Sequence, residues 1–166
     1  MPSNEHTTCD LYDKYEDALA ICASQFTSYG RRPAACGRAR LVRCYADNSL
    51  PKRLLAGPGE GGMLIVDGGG SLSHALMGDM IAAGASEQGW AGVIIFGAVR
   101  DIGALAGIDL HIKALGNVPR KTQKLEQGVE LEQMECGGII WHRGDWVYSD
   151  AEGLVVSRDR LELKGH

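Results

Sequence analysis

Two short runs of apolar residues mark the centre of the chain, and a helical pattern lies between them. MLIVD (residues 63–67) and AGVIIF (residues 91–96) are each short enough to form a strand that is buried on both faces. After the first run, GGGS interrupts the pattern, and residues 72–89 return to helical spacing. A strand, a helix and a strand with short connections predict a right-handed parallel crossover. The apolar positions of the predicted helix are Leu72, Ala75, Leu76, Met80 and Ala83.

Two helices and one alternating strand are predicted before the crossover. Thr7 or Thr8 can cap a helix over residues 9–22, and residues 35–47 alternate as a strand does. Asn48 or Ser49, followed by Pro51, predicts a short helix over residues 51–56, and a glycine-rich loop follows it. One face of the first helix carries Leu11, Tyr15, Ala18 and Leu19, and one face of the strand carries Ala35, Gly37, Ala39, Leu41 and Arg43.

The last third of the chain is predicted to be mostly β-structure. A short helical turn (residues 101–107) and a strand (111–116) precede a polar stretch, residues 117–128, which reads as an exposed loop. Antiparallel strands follow, joined by turns at Arg143–Gly144 and Ala151–Glu152. These strands are predicted over residues 129–135, 136–142, 145–150 and 153–157. The pattern indicates a single α/β domain over residues 1–166 with a core at about 8–157 and a short tail at 158–166.

Composition narrows the function classes. The 166 residues carry a net charge of −4, so the sequence lacks the broad positive field that would favour direct nucleic-acid binding. Five cysteines without a CxxC pair indicate reduced thiols rather than a disulfide framework or a zinc site. The acidic N-terminus does not resemble a secretory signal, and no apolar stretch approaches membrane-span length, so we expect a cytoplasmic protein with no membrane contact.

Several candidate motifs are better explained by structure than by chemistry. Gly68–Ser71 lies between a strand and a helix, where an anion could bind, but it matches neither a P-loop nor GxGxxG, which favours a tight turn. His74, His111 and His142 lack metal-ligand spacing, and packing or surface positions are expected for them. Lys113 could form a Schiff base, but a strand lysine that points to solvent is the favoured interpretation.

Two dipeptides are harder to explain as ordinary structure. Gly78 lies within the helical pattern, where glycine costs about 1 kcal/mol relative to alanine. Either it permits close helix packing with Asp79 in solvent, or the helix begins near Gly78 and leaves its first N–H groups free for a carboxylate. Arg100–Asp101 follows a strand at the edge where open α/β sheets bind ligands, and the pair could hold an oxoacid and a divalent cation. Taken alone, the dipeptide is more typical of surface charges or a structural ion pair than of a ligand site.

Five stretches together resemble the RraA family over nearly the whole chain, from about residue 8 to residue 157. This family includes the regulator of ribonuclease activity A and divalent-metal 4-hydroxy-4-methyl-2-oxoglutarate aldolases. The resemblance implies an α/β fold with a swivelling β/β/α core, assembled as a ring-shaped homotrimer with sites between subunits. The stretches are DLYDKY, VDGGGSLSHALMGDMIAAGA, GWAGVIIFGAVRDIGAL, the segment around Pro119, and CGGIIWHRGDWVYSDAEGLVVS.

The resemblance also implies roles for particular residues. Asp101 would hold Mg²⁺ or Mn²⁺, directly or through water, and Arg100 would contact the oxoacid end and the enolate oxygen of the substrate. The backbone N–H groups of Gly78, Asp79, Met80 and Ile81 would bind the carboxylate, and Asp79 would orient the water that protonates the leaving group. Ala104 departs from the aldolase pattern, because well-studied members carry an acidic residue there. Metal affinity or the aldol rate is expected to be lower for that reason.

These implications favour a metal-dependent lyase that releases pyruvate from 4-hydroxy-4-methyl-2-oxoglutarate or oxaloacetate. Both reactions pass through a pyruvate enolate, which a chelated divalent metal stabilises as an electron sink. The competing interpretation is a regulator that binds and inhibits an RNase E-like endonuclease without chemistry. Retention of Gly78, Asp79, Arg100 and Asp101 favours the enzyme, and Ala104 argues mildly the other way. A third interpretation is a structural oligomer that retains the site as a relic.

Overall fold

A computed structural model describes residues 7–162 of the chain. Most predicted strands and helices occur where the sequence patterns place them. The helices are α1 (Thr8–Tyr15), α2 (Ser49–Leu55), α3 (Asp79–Glu87) and α4 (Ile102–Leu105), with a 3₁₀ turn at Glu16–Ala18. The strands are β1 (Ala20–Ile21), β2 (Thr27–Ser28), β3 (Ala35–Arg43), β4 (Met63–Asp67), β5 (Ala75–Met77), β6 (Gly92–Val99), β7 (His111–Asn117), β8 (Val129–Leu131), β9 (Gln133–Cys136), β10 (Ile139–His142), β11 (Trp146–Ser149) and β12 (Leu154–Ser157).

A large mixed sheet organises the molecule, as expected for the α/β class. Its order is β1-β12-β11-β3-β4-β6-β7-β2, with β5 paired to β6 and β8 paired to β3. The central strands β3, β4, β6 and β7 run parallel, whereas β11, β12 and β1 extend the sheet with antiparallel pairs. Strand β9 forms a separate hairpin with β10. The predicted parallel crossover and terminal antiparallel strands are therefore confirmed.

Apolar side chains cover both faces of the parallel strands, because successive residues of a strand point to opposite sides. Leu64 and Val66 of β4 pack in one cluster with residues of α3 and α4. Met63 and Ile65 of the same strand pack in a second cluster with residues of β10 to β12. The four side chains are at most 1% exposed, so β4 lies between two apolar layers as predicted.

The region predicted as one helix over residues 72–89 is a strand followed by a helix. Residues 75–77 form β5, which pairs in parallel with the end of β6, and α3 begins only at Asp79, with Gly78 as its N-cap residue. The prediction of one long helix is wrong, and the alternative that a helix begins near Gly78 is confirmed. A buried three-residue strand, Ala75–Met77, has too few residues to show a period of two.

Three smaller predictions also need correction. The first helix is capped by Thr7 as predicted but ends at Tyr15 instead of continuing to residue 22. The strand predicted over residues 129–135 is divided into β8 and β9, because β8 pairs with β3 whereas β9 pairs with β10. The second apolar run continues past Gly97 to Val99. Among residues 7–162, no helix is long and apolar enough to span a membrane.

Candidate functional site

Two parallel strand ends deliver the residues of the candidate site. Strand β5 ends at Met77 and β6 ends at Val99, and their pairing places the following residues side by side. The Arg100 backbone N–H donates to the Met77 carbonyl oxygen at 3.0 Å, which holds the two chain segments together just beyond the sheet. Open α/β sheets bind ligands at this edge. The pairing therefore brings together two dipeptides that lie more than twenty positions apart in the sequence.

Asp101 links the two segments through its side chain. Its Oδ2 accepts a hydrogen bond from the Asp79 backbone N–H at 3.2 Å and lies 3.8 Å from Nε of Arg100. The backbone of Asp101 is left-handed, with φ 60° and ψ 41°, a conformation that aspartate tolerates better than most residues. Non-glycine residues in this region are associated with functional sites, where the surrounding structure stabilises the strain. This conformation turns the chain from β6 into α4.

Gly78 is explained by the close approach of the Asp101 carboxylate. A Cβ atom at this position would lie 2.5 Å from Asp101 Oδ2 and 3.3 Å from Cγ of Arg100. Any side chain would therefore displace the carboxylate from the start of α3. The glycine that is costly for a helix interior is in fact an N-cap residue, where glycine is well tolerated.

All six residues singled out from the sequence line one cavity of about 350 Å³. Its size suits a small-molecule ligand. Asp79 is partly buried, Arg100 and Asp101 have side chains 39% and 38% exposed, and Met80 at the rim is 85% exposed. An Arg100 Nη1 atom donates to the Pro119 carbonyl oxygen at 3.4 Å, so the loop around Pro119 borders the same site. The six residues are Gly78, Asp79, Met80, Ile81, Arg100 and Asp101.

The cavity also has a lysine-rich wall that sequence reasoning missed. Lys52 of α2 and Lys121 and Lys124 of the loop at residues 118–128 line it. The pKa of the Lys124 ammonium is lowered, first by its hydrogen-bond contact with the Lys52 amine, then by lost hydration and by the charges of Lys52 and Lys121. The polar loop was predicted as exposed, and its three lysine or arginine residues at 120, 121 and 124 gave no sign that it folds back over α2.

The residues present fit a magnesium-type metal. Within residues 7–162, no three His, Cys, Asp or Glu side chains converge on one point. Magnesium instead binds through one or two carboxylates and keeps several waters for substrate oxygens to replace. Asp101 offers one carboxylate in the cavity, with the carboxylate of Asp79 nearby on the same lining. Ala104, on α4, is exposed and does not belong to this lining.

The glycine-rich turn predicted as structural is engaged in internal hydrogen bonds. The N–H groups of Gly68 and Gly70 both donate to the Phe96 carbonyl oxygen at 3.1 Å, and the Gly69 N–H donates to Asp67 Oδ1 at 2.9 Å. These N–H groups therefore donate within the turn and its adjoining strands. This pattern agrees with the tight-turn interpretation rather than with an anion site.

The histidines and Lys113 also lie outside the cavity lining. His74 contacts Ser73 Oγ at 2.8 Å, and His142 lies 3.5 Å from Asp145 Oδ2. His111 is fully buried between the Arg32 carbonyl oxygen and Ser149 Oγ. The prediction that Lys113 points to solvent is wrong, since it is 4% exposed and its Nζ donates to the carbonyl oxygens of Asp150 and Gly153. The strand is covered on both faces, which alternation alone does not reveal.

Comparisons with known proteins give one family-model match and several similar solved structures. The family model described as RraA-like, aldolase/RraA, matches residues 7–156. A structure of an S-adenosylmethionine:2-dimethylmenaquinone methyltransferase from Geobacillus kaustophilus is 38% identical, with a TM-score of 0.90 over 94% of this chain and 97% of that chain. The RNA-processing inhibitor RraA from Thermus thermophilus is 35% identical, with a TM-score of 0.91 over 95% and 96%. The Streptomyces coelicolor RraAS2 structure, at 22% identity and a TM-score of 0.71 over 93% and 81%, shares the fold.

Proposed function

The chain belongs to the RraA-like family, aldolase/RraA, and on that premise we propose that it is a divalent-metal-dependent lyase. Its proposed reactions are the cleavage of 4-hydroxy-4-methyl-2-oxoglutarate and the decarboxylation of oxaloacetate, both of which release pyruvate. One observation carries the proposal: Asp79, Arg100 and Asp101 line one cavity together with the first turn of α3. An inhibitor that acts only through its outer surface has no need for this arrangement.

The first turn of α3 supplies the proposed carboxylate site. The leading N–H groups of a helix have no partner within the helix, and the helix dipole favours an anion there. The Asp79 N–H already donates to Asp101 Oδ2, which leaves those of Met80 and Ile81 as the better donors to a substrate carboxylate. Their N–H groups would fix the oxoacid end of the substrate beside Arg100.

Arg100 and Asp79 would bind the 2-oxo group of the substrate and orient a water, respectively. A guanidinium donates in a planar fork, so Arg100 would bind the 2-oxo group and stabilise the negative charge that develops on that oxygen. The Pro119 carbonyl oxygen accepts from Nη1 and keeps the guanidinium at the cavity wall. Asp79 would orient the water that exchanges protons with the leaving group. Each role uses a side chain of the cavity lining.

Asp101 would hold Mg²⁺ or Mn²⁺, and Asp79, which lines the same cavity, would contribute through water. When bound, such a metal withdraws electrons from the 2-oxoacid and makes the enolate accessible. The hydrogen bond from the Asp79 N–H and the contact with Arg100 fix the orientation of the Asp101 carboxylate. A ligand oriented in this way by its neighbours binds a metal more tightly than a mobile one.

The proposed bond changes balance for both substrates. In 4-hydroxy-4-methyl-2-oxoglutarate, the C4 hydroxyl group would give its proton to the water that Asp79 orients. The C3–C4 bond then breaks, and its electron pair moves into the pyruvate enolate. The C4 fragment leaves as a second pyruvate, and a proton from water converts the enolate into pyruvate. In oxaloacetate, the C3–C4 bond breaks as carbon dioxide departs, and its electron pair forms the same pyruvate enolate. One enolate-stabilising cavity therefore serves both reactions.

Pyruvate release tests this proposal directly. The purified protein is mixed with each substrate in the presence of Mg²⁺, Mn²⁺ or excess EDTA, and pyruvate is measured with lactate dehydrogenase. We expect release with either metal and none with EDTA. Release that is unaffected by EDTA would contradict the metal requirement, and no release from either substrate under any condition would contradict the lyase.

A second function is favoured by the likeness to a protein described as an RNA-processing inhibitor, at 35% identity over nearly both full chains. We propose binding to an RNase E-like endonuclease as this alternative. RNA cleavage by such an endonuclease, measured with and without wild-type protein and a variant lacking Asp101, separates the two functions. Inhibition that survives loss of Asp101 would assign the regulator function to a surface outside the cavity.

We also propose that the chain assembles as a homotrimer with sites between subunits, and exposed apolar side chains beside the cavity support this assembly. Met80 at the rim is 85% exposed, and Ile102, next to Asp101, is 44% exposed. A partner subunit that covered these two side chains would remove their apolar surface from water. Sedimentation equilibrium is expected to give three times the mass of one chain, and a monomer mass would contradict the assembly.

A further inference from the structure

A second cavity, which we call the arginine-lined cavity, lies at the opposite edge of the sheet from the candidate site. It occupies about 540 Å³ between the first half of β3, the loop at residues 59–62 that precedes β4, and the turn at residues 143–144. The candidate site follows the carboxyl ends of β5 and β6, whereas this cavity adjoins the amino ends of the parallel strands β3 and β4. Its volume suits a small molecule.

Arg38 presents a guanidinium group to this cavity in a defined position. Its Nε donates to the Gly144 carbonyl oxygen at 3.2 Å, and its Cζ lies 5.9 Å from the centre of the Trp146 ring, which faces it across the pairing of β3 with β11. None of the ion pairs within 4.0 Å among residues 7–162 includes Arg38. Its two terminal nitrogens can therefore bind an anion as a fork.

Two further arginines add positive charge beside Arg38. Arg143 lines the cavity from the adjoining turn, and its Nη1 lies 3.1 Å from Glu132 Oε1 in an ion pair whose side chains are 45% and 82% exposed. Such an exposed pair contributes little stability, so a ligand with two negative charges can compete for Arg143. Arg160 lies over the same Trp146 ring, at 5.3 Å, and forms none of the ion pairs of residues 7–162.

The other charged groups of the lining favour a ligand that also carries neutral hydroxyl groups. Arg40 is already occupied, because its Nε and Nη2 lie 3.0 and 2.9 Å from Glu130 Oε1. Glu60 and Glu132 offer carboxylate oxygens, which accept hydrogen bonds from hydroxyl groups but repel an anion. Glu60 has a left-handed backbone with φ 53°, a strained conformation that occurs often at ligand sites.

A phosphate monoester fits the arginines better than a carboxylate does. It carries about 1.5 to 2 negative charges at neutral pH and three strong acceptor oxygens, so it can contact Arg38 and Arg143 together. A single carboxylate has one charge and two oxygens, which one guanidinium fork already satisfies. Arginine also binds phosphate with two parallel hydrogen bonds, which a lysine cannot do.

We propose that the arginine-lined cavity binds a small phosphorylated sugar or polyol. Arg38 and Arg143 bind the phosphate, and Arg160 strengthens the positive field there. Glu60 and Glu132, which Arg143 releases when it turns to the phosphate, accept hydrogen bonds from the hydroxyl groups of the ligand. This site does not rest on the proposed lyase, because its lining shares no residue with that of the candidate site.

Calorimetric titration of the full chain tests the proposal with three probes: ribose 5-phosphate, inorganic phosphate and ribose. Excess EDTA is present, so that no phosphate binds through a metal at Asp101. We expect ribose 5-phosphate to bind with a Kd of about 0.1–1 mM, and inorganic phosphate to bind at least about fivefold more weakly. Ribose alone should give no measurable heat.

The variant R38Q/R143Q should weaken the binding of ribose 5-phosphate at least about tenfold. Both side chains are exposed, so the thermal midpoint is expected to stay within about 2 °C of the wild type. R38K/R143K keeps both charges and is expected to bind about threefold to tenfold more weakly than the wild type, since lysine lacks the fork. This second variant keeps the test decisive if R38Q/R143Q folds poorly.

Two control variants locate the site. R53Q removes an exposed arginine of α2 that does not line the cavity, and it should bind ribose 5-phosphate like the wild type. K52Q/K121Q/K124Q removes the lysine-rich wall of the candidate site, the other place where a phosphate could bind, and it should also bind like the wild type.

Three outcomes would overturn the proposal. Loss of binding in K52Q/K121Q/K124Q with retention in R38Q/R143Q would assign the phosphate to the lysine-rich wall. Equal affinities for ribose 5-phosphate and inorganic phosphate would exclude recognition of the sugar and leave a site for the free ion. Absence of heat from ribose 5-phosphate up to about 10 mM would contradict a phosphate site of any kind.

Discussion

Two regions of this protein differ in how their charged side chains are paired. Around the cavity, Arg100 and Asp101 are more than a third exposed and meet only at 3.8 Å. Beneath the antiparallel strands, Lys113 is 4% exposed and donates to two carbonyl oxygens. The partly buried Asp150 there accepts from the Thr8 N–H and hydroxyl, both at 2.7 Å. Charges that are fully paired stabilise a fold, whereas charges left partly open remain available to a ligand.

The two regions also differ in what they connect. The Asp150 carboxylate caps the start of α1 through Thr8 and closes the turn between β11 and β12 through the Glu152 and Gly153 N–H groups. The Asp101 carboxylate joins only the two chain segments of the cavity, through the Asp79 N–H and Arg100. We therefore expect substitutions in the first region to change stability and substitutions in the second to change chemistry.

The largest expected effect is that of Asp101→Asn. Asparagine keeps the shape of the side chain and tolerates the left-handed backbone at φ 60°, but it removes the negative charge that would hold a divalent metal. Pyruvate release is expected to fall at least about 1,000-fold. The thermal midpoint should change by less than about 2 °C, because this side chain does not cap α4. Wild-type turnover in this variant would remove Asp101 from the mechanism.

Arg100→Lys should have the next largest effect. Lysine keeps the positive charge but cannot reproduce a two-point contact with an oxoacid, nor the hydrogen bond to the Pro119 carbonyl oxygen with the same geometry. A fall in kcat/KM of about 100-fold is expected in steady-state assays, with unchanged far-ultraviolet circular dichroism. Kinetics like those of the wild type would make the arginine an ordinary surface charge and weaken the contrast between the two regions.

Asp150→Ala tests the stabilising region. The substitution leaves the Thr8 N–H and the turn at residues 152–153 without their acceptor, and the free energy of unfolding is expected to fall by about 2–3 kcal/mol. Urea denaturation measures this loss, and Asp150→Asn, which keeps one carbonyl oxygen, is the control with a smaller loss. Specific activity of the folded protein should stay within about twofold of wild type. An activity loss at unchanged stability would reverse the assignment.

The smallest expected effect is a pH dependence of stability from His111. Burial lowers the pKa of this imidazole to about 4, below its unfolded value of about 6.5. Between these values the unfolded chain binds more protons than the folded one, so stability is full above pH 6.5 and declines as the pH falls toward 4. We expect a loss of about 2 kcal/mol between pH 7.5 and 4.5 from this group.

Urea denaturation across this pH range compares wild type with His111→Gln. Glutamine can still contact the Arg32 carbonyl oxygen and Ser149 Oγ but does not titrate, so the slope from pH 6.5 to 4.5 should become shallower. Equal slopes in the two proteins would show that His111 is not the responsible group. Pyruvate release by the folded variant should stay close to wild type, because His111 does not line the cavity.

Much of the site could be predicted because it follows strand ends. The apolar runs around residues 63–67 and 91–96 identify the parallel core, and Arg100 and Asp101 follow the second run closely. The cost of a glycine inside a helix pointed correctly to Gly78 as a possible helix start. The resemblance to the RraA family also assigns both dipeptides to one site, whereas the pairing of β5 with β6, which brings them together, is not visible in the sequence.

The rest of the site depended on contacts between distant segments. Lys121 and Lys124 occur in a stretch whose polarity indicates only an exposed loop. Hydrogen bonds from Thr122 to Asn48 and from Gln127 to Asp47 hold this loop beside the cavity. Lys113 reads as an exposed strand residue, yet the antiparallel layer provides carbonyl partners that allow its burial. Local periodicity carries no information about such partners.

Proton exchange into pyruvate itself tests the central claim most directly, because it needs no knowledge of the natural substrate. Formation of the enolate in D₂O replaces the methyl protons of pyruvate by deuterium, which proton NMR follows as loss of the methyl signal. We predict exchange catalysed by the wild-type protein with Mg²⁺, and none above background with EDTA or in Asp101→Asn. A methyl signal that persists with Mg²⁺ and wild-type protein would contradict an enolate-stabilising metal site in this cavity.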